Sequence, residues 1–289
     1  MFVGIRGNIY RESITSSIDA VISELKKNNV SYALDIDLKK VLPAGKYNIS
    51  IFKKFSSILK NADFIISVGG DGTFLNTARL VGSSGVPILG INTGNLGFLS
   101  EIKLNEFRSF LKKILSNNFR KAERTLVEAI TLEGYKLTGL NDIVIDKFDS
   151  IRMIDIELFY NGEKVYKCIA DGILVSTPTG STGYSLSTGG PIVSPRSKVF
   201  VISPICPHTL NIRPIVIPDD GKIDIKVSSS GKVRLTSDGQ ETFNIDSPAH
   251  ITLTKASHTI SLIRKTNVTY FNTLKTKLFW GEDKRKNKK

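Results

Sequence analysis

The chain has 289 residues, enough to bury roughly three quarters of its unfolded surface and, on size alone, to form two domains. Two cysteines, Cys168 and Cys206, and three histidines, His208, His250 and His258, exclude a disulfide framework and argue against a multi-ligand zinc site. The formal net charge is +13, but nine Lys and Arg lie between Arg264 and Lys289 against only Glu282 and Asp283, so most of the excess is a terminal run and no nucleic-acid partner is expected.

The first 118 residues alternate strand and helix patterns. MFVGIRG reads as a strand, Ser13 to Asn28 as an amphipathic helix and SYALDID as a second strand. Asp63 to Val68 (DFIISV) is apolar and β-branched and runs into Gly69-Gly70-Asp71-Gly72-Thr73, followed by the helical FLNTARLVG. Val86 to Ile91 repeats the plan, with a glycine-containing loop at 92 to 97 and a helix from Asn105 to Leu115 carrying Phe107, Phe110, Leu111 and Ile114 on one face. This rhythm predicts an α/β domain with a Rossmann-like parallel sheet over residues 1–118.

From residue 119 to 265 the pattern changes to short strands with tight turns, predicting an all-β, sandwich-like domain. Met153 to Tyr160 alternates, Asn161-Gly162 has the residues of a type I′ hairpin turn, and Val165 to Ile169 returns. Further strands are expected at Ile173 to Ser176, Lys198 to Ser203, Ile223 to Val227, Val233 to Thr236, Ile251 to Thr254 and Ile260 to Arg264. Tyr270 to Trp280 regains helical spacing through Phe271, Leu274 and Leu278, so residues 266–281 are expected to form a helix packing back on the first domain. The basic 282–289 has the composition of a disordered tail. No apolar stretch reaches the ~20 residues of a membrane span, and the first residues lack a signal-peptide core, so the expected location is cytoplasmic.

Three segments carry chemistry. In Gly69-Gly70-Asp71-Gly72-Thr73 the glycines permit positive φ and leave the backbone N–H groups open to a phosphate, while the following helix offers its N-terminal dipole. Gly69, Gly70, Gly72 and Thr73 are therefore the expected phosphate-binding residues. Asp71 has two readings: a base that takes a proton from a hydroxyl attacking phosphorus, or a helix-capping carboxylate. The turn is neither a Walker motif nor GxGxxG. Asp171 to Pro191 is dense in Ser, Thr and Gly, which suits hydrogen bonding to a ribose, phosphate or base edge, with Tyr184 available for stacking. Asn141-Asp142 alone is only a turn signal.

Together with NTGNLGFL at 92–99, LNDIVI at 140–145, HTLNIRPIVI at 208–217, SDGQ at 237–240 and YFNTLKTKLFW at 270–280, these segments resemble the NAD kinase family in content and order. The resemblance covers roughly residues 60–281. It implies a phosphotransferase that moves a phosphoryl group from ATP or polyphosphate, with Mg²⁺, to the adenosine 2′-hydroxyl of NAD in a cleft between the two domains. It also implies a homodimer or homotetramer, with metal ligands unspecified. A lipid or sugar kinase sharing the GGDGT turn is the alternative.

Residue by residue, the resemblance makes Asp71 the catalytic base, with Gly72 and Leu75 lining its turn. It places Phe98, Asn141, Asp142, Asp171 and Gln240 against the dinucleotide, and wraps Thr182, Gly183, Tyr184, Ser185, Leu186 and Ser187 around it. Arg152 stands where relatives vary between His and other basic residues, and Gly183 where many have alanine. Ile169 occupies a position that is often polar, with consequences for NAD against NADH. His208 is read as structural.

Overall fold

A computed structural model describes residues 1–94, 97–148 and 150–279. Asn95 and Leu96 of the NTGNLGFL motif, Trp280, and the basic 282–289 lie outside the described residues. The chain divides into two compact units, one of residues 1–123 and 260–289, the other of residues 124–259.

The first unit contains β1 (Phe2–Gly7), α1 (Ile14–Lys27), β2 (Ser31–Asp35), β3 (Phe52–Lys53), α2 (Phe55–Leu59), β4 (Phe64–Val68), α3 (Asp71–Val81), β5 (Ile88–Asn92), β6 (Ile102–Lys103) and α4 (Phe107–Leu115). Its sheet is parallel in the order β5-β4-β1-β2-β3, with β6 parallel to β5. β4 and β5 are buried along their whole length, as strands covered by helices on both faces must be. α1 packs its apolar stripe (Ile14, Ile18, Val21, Ile22, Leu25) and α4 its own (Phe107, Phe110, Leu111, Ile114) into one core with Val3, Ile5, Ile66 and Leu89. The chain winds outward from β1 to β2 and β3, then crosses back to β4 on the other side of β1. The crevice at the C-terminal ends of β1 and β4 is thus the switch point of the sheet, where open α/β folds bind ligands.

The second unit begins within β7 (Arg120–Thr131). β8 (Lys136–Gly139), β9 (Asp142–Lys147), β10 (Ile154–Tyr160), β11 (Glu163–Ala170), β12 (Gly172–Ser176), the short α5 (Tyr184–Ser187), β13 (Val199–Ile205), β14 (Ile215–Pro218), β15 (Ile223–Ser228), β16 (Val233–Ser237) and β17 (Glu241–Ile245) follow. A six-stranded antiparallel sheet runs β14-β13-β12-β9-β16-β17. A second sheet joins β11, β10, β15 and the first part of β18 (Ala249–Arg264). Inward residues of both sheets, among them Ile143, Ile156, Ile173, Phe200, Ile225, Leu235 and Ile251, share one core, which makes a sandwich. The β10–β11 connection has Asn161 at φ 51° and Gly162 at φ 84°, the geometry of the I′ turn expected from its sequence.

Two expectations are corrected. The strands expected at 251–254 and 260–264 are halves of the single β18, because Lys255 to Thr259 holds no Gly or Pro to end it, although the buried positions change parity between Leu253 and Ala256. From Ile260 onward β18 belongs to the first unit, where Leu262 pairs with Ile88. The last helix, α6 (Tyr270–Leu278), also belongs to the first unit, but only Leu274 of its expected apolar face is fully buried and Phe271 is exposed.

Candidate functional site

The glycine turn joins β4 to α3. Only Gly69 takes positive φ, at 157°, and a Cβ there would lie 2.3 Å from Thr73 Oγ1. Gly70 has φ −94° and Gly72 is helical, so the positive φ that the glycines permit is used at Gly69 alone. Their use is different: a Cβ at either would meet open space, and a phosphate can approach the first turn of α3 there without crossing a side chain. Gly70 is the N-cap and Asp71 the first helical residue.

Asp71 does not cap its own helix. Its carboxylate accepts the backbone N–H groups of Phe98 at 2.7 Å, Leu99 at 3.1 Å and Ser100 at 3.0 Å. The GGDGT turn and the loop after β5 are therefore one constellation, closed by a concave run of three consecutive N–H groups around a single anion. Arg11 supports the start of that loop, donating to the Thr93 carbonyl at 2.9 Å. Arg264 supports its end, donating to the carbonyls of Phe98 at 3.1 Å and Leu99 at 3.3 Å. Phe98 is half-buried and Leu75 is buried within α3.

At the switch point lies a cavity of about 390 Å³ whose lining includes Arg6, Tyr10, Lys40, Gly72, Thr73 and Asn76. Arg6 is fixed there by Asn76 Oδ1, 2.9 Å from Nη2, and by an ion pair with Asp35. Burial pulls the Arg6 guanidinium below its ordinary pKa, against the opposing charge of Asp37. On α6, burial lowers the Lys277 ammonium pKa while the Asp71 carboxylate acts to raise it. The cavity thus sets Arg6 and Lys40 beside an open helix N-terminus, features that attract a polyanion, while the Asp37 carboxylate on the same lining pairs with Lys40 at 2.9 Å.

In the second unit, a cavity of about 430 Å³ is lined in part by Asn141, Asp142, Tyr184, Arg234, Asp238 and Gly239. Asp238, at φ 51° in the turn between β16 and β17, accepts the backbone N–H groups of Leu140 at 2.9 Å, Asn141 at 2.7 Å and Asp142 at 3.0 Å. This second anion-in-a-nest places Asn141 and Asp142. Burial, and then the nearby Asp238 charge, push the Asp142 carboxyl up to about 7. Across the floor, Arg234 binds Asp146 in two parallel hydrogen bonds at 2.8 and 2.7 Å.

The Ser/Thr/Gly block folds against the same point. Thr177 Oγ1 donates to the Leu140 carbonyl at 2.6 Å, and a Cβ at Gly180 would lie 2.1 Å from the Asn141 carbonyl oxygen. The hydroxyls of Ser176, Thr177, Ser181 and Thr188 are spent on backbone groups, because buried irregular backbone must find partners. Tyr184 and Ser187 are exposed, Thr182, Gly183 and Leu186 are half-buried, and Ser185 is buried with no partner for its hydroxyl among the described residues. Asp171 pairs with Lys147 at 2.7 Å. Arg152 is exposed, and Gln240 is an exposed residue closing the Asp238-Gly239 turn through its N–H to the Ser237 carbonyl. Sequence reasoning missed Asp238, Arg234, Arg264 and Lys277; the DG of SDGQ signals a turn, and nothing local marks the three cations.

Residues 9–119 match the ATP-NAD kinase N-terminal domain and residues 140–265 the ATP-NAD kinase C-terminal domain. The chain belongs to the NAD kinase family. It is 39% identical over 293 residues to the NAD kinase of Flavobacterium psychrophilum, covering 99% of this chain and 100% of the relative. It is 37% identical over 289 residues to that of Bacteroides fragilis, with the same coverage. Among solved structures it resembles yeast NADH kinase complexed with NADH (TM-score 0.89, 26% identity, 98% of this chain and 89% of that one). It also resembles an NAD kinase from Archaeoglobus fulgidus in complex with ATP (TM-score 0.77, 26% identity, 95% and 97%). Among the described residues no helix is long and apolar enough to cross a membrane.

Proposed function

We propose that this member of the family transfers the terminal phosphoryl group of ATP to the adenosine 2′-hydroxyl of NAD, with Asp71 as general base. The observation that carries this reading is the Asp71 carboxylate, fixed by three N–H groups at the first residue of a helix whose N-terminus is open to phosphate. A ribose hydroxyl is almost wholly protonated near neutral pH, so a carboxylate held in place to accept its proton late in the transfer fits the chemistry. Most of the rate would come from positioning and charge neutralisation of the phosphoryl oxygens.

The donor phosphates would sit in the cavity with Arg6, Lys40 and Thr73, and the dinucleotide against Asn141, Asp142 and Tyr184. Among the described residues no cluster of three or more His, Cys, Asp or Glu forms a metal cage. This fits Mg²⁺ carried by the donor phosphates with at most one or two carboxylates, Asp71 being the one in the turn. NADH is the second acceptor to weigh, favoured by the likeness to an NADH kinase and by the exposed apolar Ile169. A homodimer or homotetramer is expected from the family resemblance, which light scattering tests.

The deciding experiment is a steady-state assay with Mg²⁺, pairing NAD or NADH with ATP or polyphosphate. NADP or NADPH formation that Asp71→Asn abolishes sustains the reading and ranks the donors. No product in any pairing overturns it.

A further inference from the structure

Arg264 stands at the end of β18, 94% buried by accessible surface. Its Nη1 lies 3.0 Å from Glu101 Oε2, and Glu101 Oε1 accepts the Lys265 N–H at 3.0 Å. The remaining hydrogen bonds of the guanidinium go to two carbonyls of the loop, Nη2 to Phe98 at 3.1 Å and Nη1 to Leu99 at 3.3 Å.

Those carbonyls are not incidental. The Phe98 carbonyl and the Leu99 N–H belong to one peptide group, and the Leu99 carbonyl and the Ser100 N–H to the next. Each peptide therefore has the Arg264 cation at its oxygen end and the Asp71 carboxylate at its hydrogen end. Hydrogen bonds linked in this way polarise one another and hold the planar peptide from both edges. The room for the arrangement comes from Gly97, where a Cβ would fall 1.7 Å from Asp71 Oδ1.

We propose that Arg264, anchored by Glu101, is a positioning residue for Asp71: it orients and polarises the 98–99 and 99–100 peptides that fix the carboxylate of the base. Arg264 touches neither reacting group in this role and acts only through those two peptides. The proposal rests on the reading of Asp71 as base, and its test separates the two.

Arg264→Lys keeps the charge but replaces the planar fork, whose Nη1 and Nη2 reach Leu99 and Phe98 separately, by a single ammonium on a shorter stem. Turnover is measured on the full chain, under single-turnover conditions with ATP, Mg²⁺ and NAD, for the unaltered protein, Arg264→Lys, Asp71→Asn and the double variant. NAD affinity is measured by calorimetry. With Asp71 present, Arg264→Lys is expected to lower turnover about 10- to 100-fold, the cost of a slightly misplaced group. The NAD dissociation constant is expected to stay within about threefold, and in the Asp71→Asn background the same substitution to change residual turnover by less than about threefold. An equal loss in both backgrounds assigns Arg264 to packing and overturns the proposal, as does unaltered turnover. If Arg264→Lys shows no cooperative melting, Glu101→Gln, which removes the anchoring charge and one of its two acceptor oxygens and leaves the guanidinium, is run through the same cycle with the same expectations. No product from the unaltered protein overturns the base reading itself.

Discussion

A side-chain carbon on Gly97 would lie 1.7 Å from Asp71 Oδ1, so the loop reaches the carboxylate only because residue 97 is glycine. Gly97→Ala must push the loop outward and loosen the three N–H contacts to Asp71. Since a displacement of about 1 Å at a catalytic group can cost on the order of 10²-fold in rate, kcat is expected to fall by about that factor. NAD affinity, measured by calorimetry, should change much less. Equal losses in affinity and in kcat/KM would show that the loop contributes binding and not alignment.

Asp71→Asn has two separable consequences. As a base it is lost, and turnover should drop by about two to four orders of magnitude. As an acceptor it is half lost: the amide oxygen can still take two N–H groups, but its NH₂ would face a third. Leaving that N–H without its acceptor costs about 1–3 kcal/mol, visible as a lower Tm. An unchanged Tm with lost turnover would mean that the loop does not depend on this carboxylate.

How far these features were legible depends on their range. The NG hairpin, the β4–turn–α3 order and the amphipathic face of α4 are local patterns, and each survives intact in the fold. β7 was hidden, because Arg124 and Thr131 are buried in it as polar residues and its buried positions change parity between Leu126 and Val127. The glycine turn was legible as the junction of a strand and a helix with an open helix N-terminus, but not the loop that grips Asp71, which lies 27 to 29 residues away in sequence. Arg264 lies 165 residues beyond Leu99; only the return of β18 alongside β5 brings them together. The Ser/Thr/Gly block misled in one respect, since half-hidden backbone consumes hydroxyls that composition alone assigns to a ligand.

The Asp142 carboxyl is held up to about 7 by burial and by Asp238, against 3.8 for a free side chain. The folded protein therefore binds a proton there that the unfolded chain has released. The sign follows from linkage: this group's contribution to stability is greatest below pH 3.8 and declines as pH rises to about 7. The slope is about 1.4 kcal/mol per pH unit within that window. Asp142→Asn removes the dependence, so denaturant melts at pH 5 and pH 7 should show the variant gaining on the parent as pH rises. A difference independent of pH would place the proton elsewhere.

Asp238 organises Asn141 and Asp142 by accepting their backbone N–H groups, at 2.7 and 3.0 Å. Asp238→Ala leaves three N–H groups at the 140–142 turn without their acceptor, a cost of about 1–3 kcal/mol each where water cannot reach. The turn should relax, and with it the polar groups that face the cavity. On the proposed dinucleotide site, KM for NAD is expected to rise by about tenfold or more while kcat falls little, the mark of lost uniform binding. Tyr184→Ala, at the cavity wall, should raise KM by a smaller factor with no loss of stability. If Asp238→Ala lowered kcat at unaltered KM, this cavity would not be where the dinucleotide is held in the ground state.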